Sequence, residues 1–174
     1  MIKTEMSVRI LVHLFVCAVI LLAGYAPFVF CDDNEPLPNQ RREHPFNIGV
    51  NLGGPIIVTG FNTSVFALPW LEAEIGADIF NQGFYGGLKY HLLANHPHLM
   101  TTPFIGAIYA MVPEGVISDR ITSIYYFPIG VRHTINKHWF FSPEAAYLVY
   151  PKDNRVKFSN KPSFWFCFKY NYSF

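Results

Sequence analysis

Charged residues are scarce in this sequence. Lys and Arg contribute 13 of its 174 residues and Asp and Glu 12, so the charged fraction is 14% and the net charge is +1. Soluble domains usually carry about 25% charged residues, which indicates that much of this chain's surface faces something other than water. The near balance of signs provides no electrostatic basis for binding nucleic acid, and we expect no nucleic-acid partner.

Cysteine is scarce as well, with only Cys17, Cys31 and Cys167 present. Their spacing fits no metal site, and Cys167 is best interpreted as a small wall residue. His96 and His98 could hold a metal at the surface, but a stable zinc site needs three or four ligands, so we interpret them as part of a turn. No glycine-rich phosphate loop opens a helix, and we predict no metal and no cofactor.

A long run without charge lies near the N-terminus. Lys3 and Arg9 precede residues 10–30, which contain no charged residue, a pattern typical of a secretory signal peptide. The run is also long enough to cross a bilayer as a helix, so an N-terminal anchor is the alternative. Small residues at 24–26 and the segment 29–31 are the two candidate cleavage regions.

We predict three regions: a cleaved signal peptide over residues 1–31, a flexible lead-in over 32–45 and a folded domain over 46–174. Lipid attachment at Cys31 is disfavoured because a lipoprotein signal has a small residue before its cysteine, whereas Phe30 is large. The lead-in is polar, contains prolines and shows no periodicity, which is typical of a flexible segment.

From residue 46 onward, apolar residues alternate with polar residues or glycine, which predicts strands. The C-terminal segment is the clearest case, because its aromatic residues share one face and most of its polar residues the other. The aromatic face consists of Phe164, Phe166, Phe168, Tyr170, Tyr172 and Phe174, and the opposite face of Trp165, Cys167, Lys169, Asn171 and Ser173.

An alternating aromatic strand that ends in Phe resembles the terminal strand of bacterial outer-membrane β-barrel proteins. Looser similarities at 52–55, 85–90 and 129–141 extend the resemblance over the folded domain. In that family the terminal strand is read by the barrel assembly machinery and closes the barrel against the first strand. The resemblance implies an outer-membrane location, with membrane lipid and that machinery as partners, and an assembly signal formed by Phe166, Phe168, Tyr170, Tyr172 and Phe174.

The predicted fold is all-β: a closed antiparallel up-and-down transmembrane β-barrel of about eight strands. Gly53-Gly54 is either a hairpin turn or a bulge within one long strand, and a bulge would leave one strand missing. A polar loop is predicted at 151–161 and a short turn at 135–137. The predicted strand segments are 46–53, 55–66, 69–80, 83–93, 101–112, 120–134, 138–150 and 162–174.

A two-residue turn at Asn81-Gln82 would set the register of the third and fourth strands. It places Glu74 opposite Lys89 and Glu72 opposite His91, all on the polar face. An eight-stranded barrel has room inside for side chains but little for a channel. We therefore predict that paired charges plug the lumen, with the network formed by Glu72, Glu74, Lys89, His91, Arg132, Glu144 and Lys169.

The sequence nominates no catalytic residue, and we predict that the protein is not an enzyme. Barrel deacylases of lipid A carry a His and a Ser two residues apart, whereas His133 is followed by Thr134 and has the lipid-facing parity. Palmitoyl-transferring barrels need an Asp-Ser pair, and the order is reversed at Ser118-Asp119.

We predict a monomeric integral outer-membrane barrel with a structural, adhesive or surface-interaction role. The alternatives are a barrel enzyme that modifies lipid A and a secreted, lipocalin-like barrel that binds an apolar ligand. A soluble barrel would show the same alternation with its two faces exchanged, so the period alone does not separate these classes.

Overall fold

The structure, a computed structural model, describes residues 40–54, 59–78, 83–94, 96, 99–112, 122–149 and 163–174. The described residues form one short helix and eight strands. The helix α1 is Gln40–Glu43, and the strands are β1 (Phe46–Gly53), β2 (Thr59–Leu68), β3 (Leu71–Asp78), β4 (Phe84–His91), β5 (Thr101–Val112), β6 (Thr122–Thr134), β7 (Trp139–Val149) and β8 (Ser163–Ser173).

The strands close into a barrel. Each strand pairs antiparallel with the next one along the chain, and β8 pairs antiparallel with β1. At this seam Val50 lies opposite Tyr170, and the backbone N–H of Phe174 donates to the carbonyl oxygen of Phe46 at 3.0 Å. Closure leaves no unpaired sheet edge, and the predicted up-and-down barrel of eight strands is confirmed.

The side chains alternate between the two faces of the wall as the sequence predicts. In β1, Ile48 and Leu52 are 53% and 59% exposed on the outside. The intervening Asn47 and Asn51 are 0% and 1% exposed and point into the barrel. Polar residues therefore line the interior along this strand, and apolar residues form the outer surface.

Gly53, the last residue of β1, and Gly54, which follows it, lie where the sequence left the number of strands open. Gly53 and Gly54 have φ angles of +78° and +94°, which place both in the left-handed region that favours glycine. β1 ends at Gly53, and β2 begins at Thr59 as a separate strand paired to it. The two segments are therefore separate strands, and the bulge interpretation is wrong; Gly53 itself still belongs to β1, and residues 55–58 of the connection lie outside the described residues.

The register between β3 and β4 differs from the predicted one by two residues. Glu72 lies opposite Lys89. The predicted register, which placed Glu74 opposite Lys89 and Glu72 opposite His91, is therefore wrong, and Asn81-Gln82 themselves lie outside the described residues. Because side chains alternate with a period of two, a shift of two residues keeps every polar side chain facing inward.

The two ends of the barrel are named here by the course of the chain. The proximal end is where β1 begins and β8 ends, and the distal end is opposite. A tight turn joins β6 to β7 at the proximal end, where the Asn136 side-chain oxygen accepts hydrogen bonds from the backbone N–H groups of His138 and Trp139, both at 3.0 Å. A short connection is thus present at the predicted position.

The helix α1 lies within the range predicted as a flexible lead-in, so the part of that range next to the barrel has regular structure. Between the helix and β1, the carbonyl oxygen of Pro45 accepts a hydrogen bond from the backbone N–H of Phe66 in β2, at 2.9 Å. Among the described residues, no helix is both long and apolar enough to cross a membrane. The predicted signal peptide, the predicted loop at 151–161 and Pro97-His98 lie outside the described residues.

Candidate functional site

Seven charged or titratable side chains of the described strands converge in the barrel interior. All seven residues that the sequence assigned to the lumen are buried, none of them more than 5% exposed. They belong to five different strands and lie in two groups, one midway along the barrel and one near its proximal end. The midway group is Glu74, Lys89, Glu144 and Lys169, and the proximal group is Glu72, His91 and Arg132.

We call the midway group the central ring, because each lysine contacts both glutamates. Lys89 Nζ lies 2.7 Å from Glu74 and 2.9 Å from Glu144. Lys169 Nζ lies 3.2 Å from Glu144 and also pairs with Glu74. Two ammonium groups and two carboxylates therefore balance in charge, and the Tyr126 hydroxyl donates a further hydrogen bond to Glu144 at 3.1 Å.

The central ring spans the lumen. Glu74 and Lys89 extend from β3 and β4, whereas Glu144 and Lys169 extend from β7 and β8. In a closed ring of eight strands, these two pairs stand on opposite walls. Long charged side chains meeting from both walls fill the middle of a barrel whose interior is just wide enough for side chains.

The proximal group is centred on one carboxylate. Glu72 pairs with His91 Nε2 at 2.7 Å and accepts a hydrogen bond from the Ser64 hydroxyl. The Arg132 guanidinium is more distant, with Nη1 3.9 Å from Glu72. Arg132 also donates to the Ser173 hydroxyl at 3.4 Å. The partners Glu72 and His91 match the predicted pair, although they are diagonal rather than directly opposite in the sheet.

A second arginine, which the sequence analysis did not identify, reaches this group from outside the sheet. Arg41 in α1 donates to Pro69 O at 3.4 Å and to the Thr102 hydroxyl. Its guanidinium lies 5.5 Å from the centre of the Phe66 ring. Burial lowers the pKa of Arg41 to about 10, and Glu72 opposes that shift, so Arg41 is a cation at neutral pH. No periodic pattern marks this residue, because it precedes the first strand.

Aromatic rings hold the guanidinium of Arg132 in place. The Arg132 guanidinium carbon lies 3.4 Å from the centre of the Phe140 ring and 4.7 Å from that of Phe66. Cations are attracted to the faces of aromatic rings, and most strongly where water is excluded. Arg132 is 1% exposed, so its position is set by ring contacts rather than by solvent.

The side of the distal interior that β4 to β7 form is apolar, which the sequence analysis missed. A cluster of buried hydrophobic residues fills it and continues the packing above the central ring. Both faces of β5 and β6 are rich in apolar residues, so no simple alternation identifies these positions. Cys167 is a free thiol, 0% exposed, on the inner face of β8. The cluster is Tyr85, Ile108, Ala110, Val112, Ile124, Tyr126, Ala146 and Leu148.

The outer surface carries the aromatic residues assigned to the assembly signal. Phe168, Tyr170 and Phe174 are exposed, and Phe166 and Tyr172 are half-buried. Their rings stack on outward rings of neighbouring strands: Trp139 lies 4.9 Å from Tyr170, and Phe46 lies 6.4 Å from Phe174, between ring centres.

The described residues outside the two charged groups were also compared with the requirements of a metal or catalytic site. Among the described residues, no cluster of three or more His, Cys, Asp or Glu side chains could hold a metal ion. His133 Nδ1 lies 2.7 Å from the Thr101 hydroxyl, in a half-buried position near the proximal end. Ser118-Asp119 lies outside the described residues.

The fold and the charged interior define the class of closed, eight-stranded, antiparallel up-and-down β-barrels. Among solved structures, the N-terminal β-barrel domain of Pseudomonas aeruginosa OprF, an outer-membrane protein, is similar. The TM-score is 0.54 and the identity 12%, and the match covers 75% of this chain and 98% of that chain. The predicted resemblance to outer-membrane barrels is thereby confirmed at the level of the fold. No family model matches the sequence, and no curated protein matches it.

The central ring should contribute strongly to stability. We expect Lys89→Met to lower the free energy of unfolding by about 3–5 kcal/mol, because it leaves two buried carboxylates with a single ammonium. The measurement is urea unfolding of the barrel in lipid vesicles, followed by tryptophan fluorescence. Arg42→Met is the control, since Arg42 is an exposed cation and its loss should change stability by about 0.5 kcal/mol or less.

The double variant Lys89→Met/Glu144→Gln tests the origin of that loss. It removes one charge of each sign, so we expect it to be less destabilised than the sum of the two single variants. Additive effects of the two substitutions would contradict the ring as a coupled unit.

Proposed function

We propose that this protein is an integral, monomeric barrel of the bacterial outer membrane with a structural, adhesive or surface-interaction role. The observation that carries the proposal is the composition of the two faces of the wall. Large apolar side chains in the middle of strands point outward and are exposed, among them Phe61, Ile75, Leu88 and Ile129, at 56%, 61%, 53% and 62%. The lysines, arginine and glutamates of the strands, by contrast, are buried in the interior.

This arrangement supports a lipid environment for the outer surface. Transmembrane barrels alternate apolar residues facing lipid with polar residues facing the lumen. A soluble barrel that carries an apolar ligand needs the reverse, with an apolar interior and a polar exterior. Exposed apolar surface beyond a few hundred Å² is rare on soluble monomers and marks a site of contact with a membrane or a partner.

We further propose that the central ring closes the lumen, so that the barrel is not an open pore. The support is that Lys89 reaches Glu144 on the opposite wall at 2.9 Å and that Lys169 reaches Glu74 from the other side. Exposed aromatics at the seam of β8 and β1 support the proposal that the terminal strand is recognised by the barrel assembly machinery.

The membrane proposal is tested by Ile129→Lys with Ile135→Lys as its control. Ile129 is exposed near the middle of β6, whereas Ile135 is exposed just beyond the end of the same strand. In lipid vesicles we expect Ile129→Lys to lower the free energy of unfolding by about 2–4 kcal/mol and Ile135→Lys by about 0–1 kcal/mol, since a lysine is costly at the bilayer midplane and tolerated near the interface.

The outcome in water separates the alternatives. If the wild-type chain folds without lipid or detergent and both lysine variants keep its stability, the outer surface faces water and the membrane proposal fails.

The closed lumen is tested by conductance in planar bilayers. We expect the wild-type barrel to show no large, steady single-channel conductance, because the central ring fills its cross-section. An open porin reconstituted in the same lipid is the positive control. A steady conductance of porin size from the wild-type protein would refute the closed lumen and leave the membrane location intact.

The assembly proposal is tested by replacing an outward aromatic at either end of β8. We expect Phe174→Ala to reduce the amount of folded protein in the outer membrane of cells, while Phe164→Ala leaves it near the wild-type level. Both side chains are exposed, at 57% and 51%, so the loss of apolar surface is matched. Refolding of both variants into vesicles without the machinery is the second measurement, and an equal loss there would assign the effect to stability instead.

A further inference from the structure

The proximal end of the interior holds more positive than negative charge. The central ring is neutral, with two lysines and two glutamates in mutual contact. Nearer the proximal end lie two guanidiniums, those of Arg132 and Arg41, both at the Phe66 ring. Glu72 is the one carboxylate paired within this group of described residues. An excess cation in a place from which water is excluded is costly unless an anion or hydrogen-bond acceptors compensate it.

The carboxylate in this group is already engaged elsewhere. Glu72 Oε2 pairs with His91 at 2.7 Å, and Oε1 accepts from the Ser64 hydroxyl. Its distance to Arg132 Nη1, 3.9 Å, is too long for a hydrogen bond. Glu72 therefore attracts Arg132 electrostatically without accepting its protons.

Arg132 retains N–H donors that make no hydrogen bond. Its Nε and Nη1 atoms are buried and make no hydrogen bond, while Nη2 reaches the Ser173 hydroxyl at 3.4 Å. Nε and Nη1 each share an edge of the guanidinium plane with Nη2, which has a second N–H besides the one donated to Ser173, so one unused donor together with Nη2 can contact two oxygens of one oxyanion. The Phe140 and Phe66 rings hold the plane of this group in place, so the edge is preorganised.

Arg41 completes a two-armed arrangement. Its guanidinium donates to Thr102, and Thr102 lies directly opposite Arg132 in the sheet. The second cation thus reaches the same place from α1, outside the barrel wall. Buried unpaired donors, a surplus of cationic charge and convergence from two elements are together the features of an oxyanion site.

We propose that the proximal end of the barrel binds a small oxyanion, of the phosphate type, between Arg132 and Arg41. Arg132 supplies the two-pronged contact within the barrel, and Arg41 closes over the anion from α1. Glu72 opposes binding by its own charge, which sets an upper limit on the affinity. The same chemistry would serve free phosphate or the phosphate of a lipid headgroup at the membrane surface.

The test is the thermal stability of the full folded barrel in detergent with inorganic phosphate, against sodium chloride of equal ionic strength and pH. A ligand that binds only the folded state raises Tm as its concentration exceeds Kd, and we expect a rise of about 3 °C or more at saturation. Equal Tm values in the two salts would overturn the proposal.

Two variants of α1 locate the effect. We expect Arg41→Met to abolish the phosphate-dependent rise in Tm and Arg42→Met, which removes a neighbouring exposed cation, to retain it. A response that persists in Arg41→Met, or disappears equally in both variants, would also overturn the proposal.

A third variant is expected to strengthen phosphate binding, a result that loss of the fold cannot produce. Glu72→Gln removes the competing carboxylate while keeping a similar shape, so we expect phosphate to bind several-fold more tightly, as measured by calorimetry on the folded barrel. Unchanged or weaker binding would contradict the site. Glycerophosphate distinguishes the sources: binding equal to that of phosphate indicates a headgroup ligand, and binding of inorganic phosphate alone indicates the free ion.

Discussion

The balanced contact of two lysines with two glutamates in the middle of the lumen constrains the rest of this barrel. Lys89 and Lys169 come from strands on opposite walls, and each reaches Glu74 and Glu144. A slip of either strand by one residue would turn its lysine outward and its apolar residues inward. In a membrane that change costs about 2–4 kcal/mol for the lysine alone, and it leaves buried carboxylates without a partner. Because the barrel is closed, fixing the register of these strands limits that of their neighbours.

The ring depends in turn on the layers that cover it. On the proximal side Lys89 Nζ lies 4.7 Å from the centre of the Phe104 ring, and on the distal side Lys169 Nζ lies 5.4 Å from that of Tyr85. Tyr126, 0% exposed, adds a hydrogen bond to Glu144 from the distal side. These rings keep water from the ion pairs, and attraction between opposite charges is stronger where water is excluded. The apolar distal cluster is therefore part of the electrostatic design rather than a separate core.

The sequence predicted the features that follow from a period of two, and it failed where other forces decide. Strand number and facing follow from alternation, and closure was implied by the resemblance of the aromatic terminal strand to that of outer-membrane barrels. The β3–β4 register was misplaced by two residues, because alternation fixes facing and leaves steps of two open. Arg41 was missed since it lies in α1, where no period exists to mark it. The inward apolar residues of β5 and β6, such as Ile108 and Ile124, were missed because both faces of those strands are apolar.

The filled interior also bears on where a function can reside. Ion pairs at 2.7–3.2 Å, packed rings and an apolar distal cluster occupy much of the described interior. Some buried polar atoms have no hydrogen bond, among them Asn51 Oδ1 and the Tyr85 hydroxyl towards the distal end, and near the proximal end Arg132 carries unused donors beside a second guanidinium. A molecule that enters the lumen would have to separate the ion pairs of the central ring, which would leave buried charges without a partner. Contacts with other molecules are therefore expected at the outer surface and at the two ends, where residues can change without disturbing the ring.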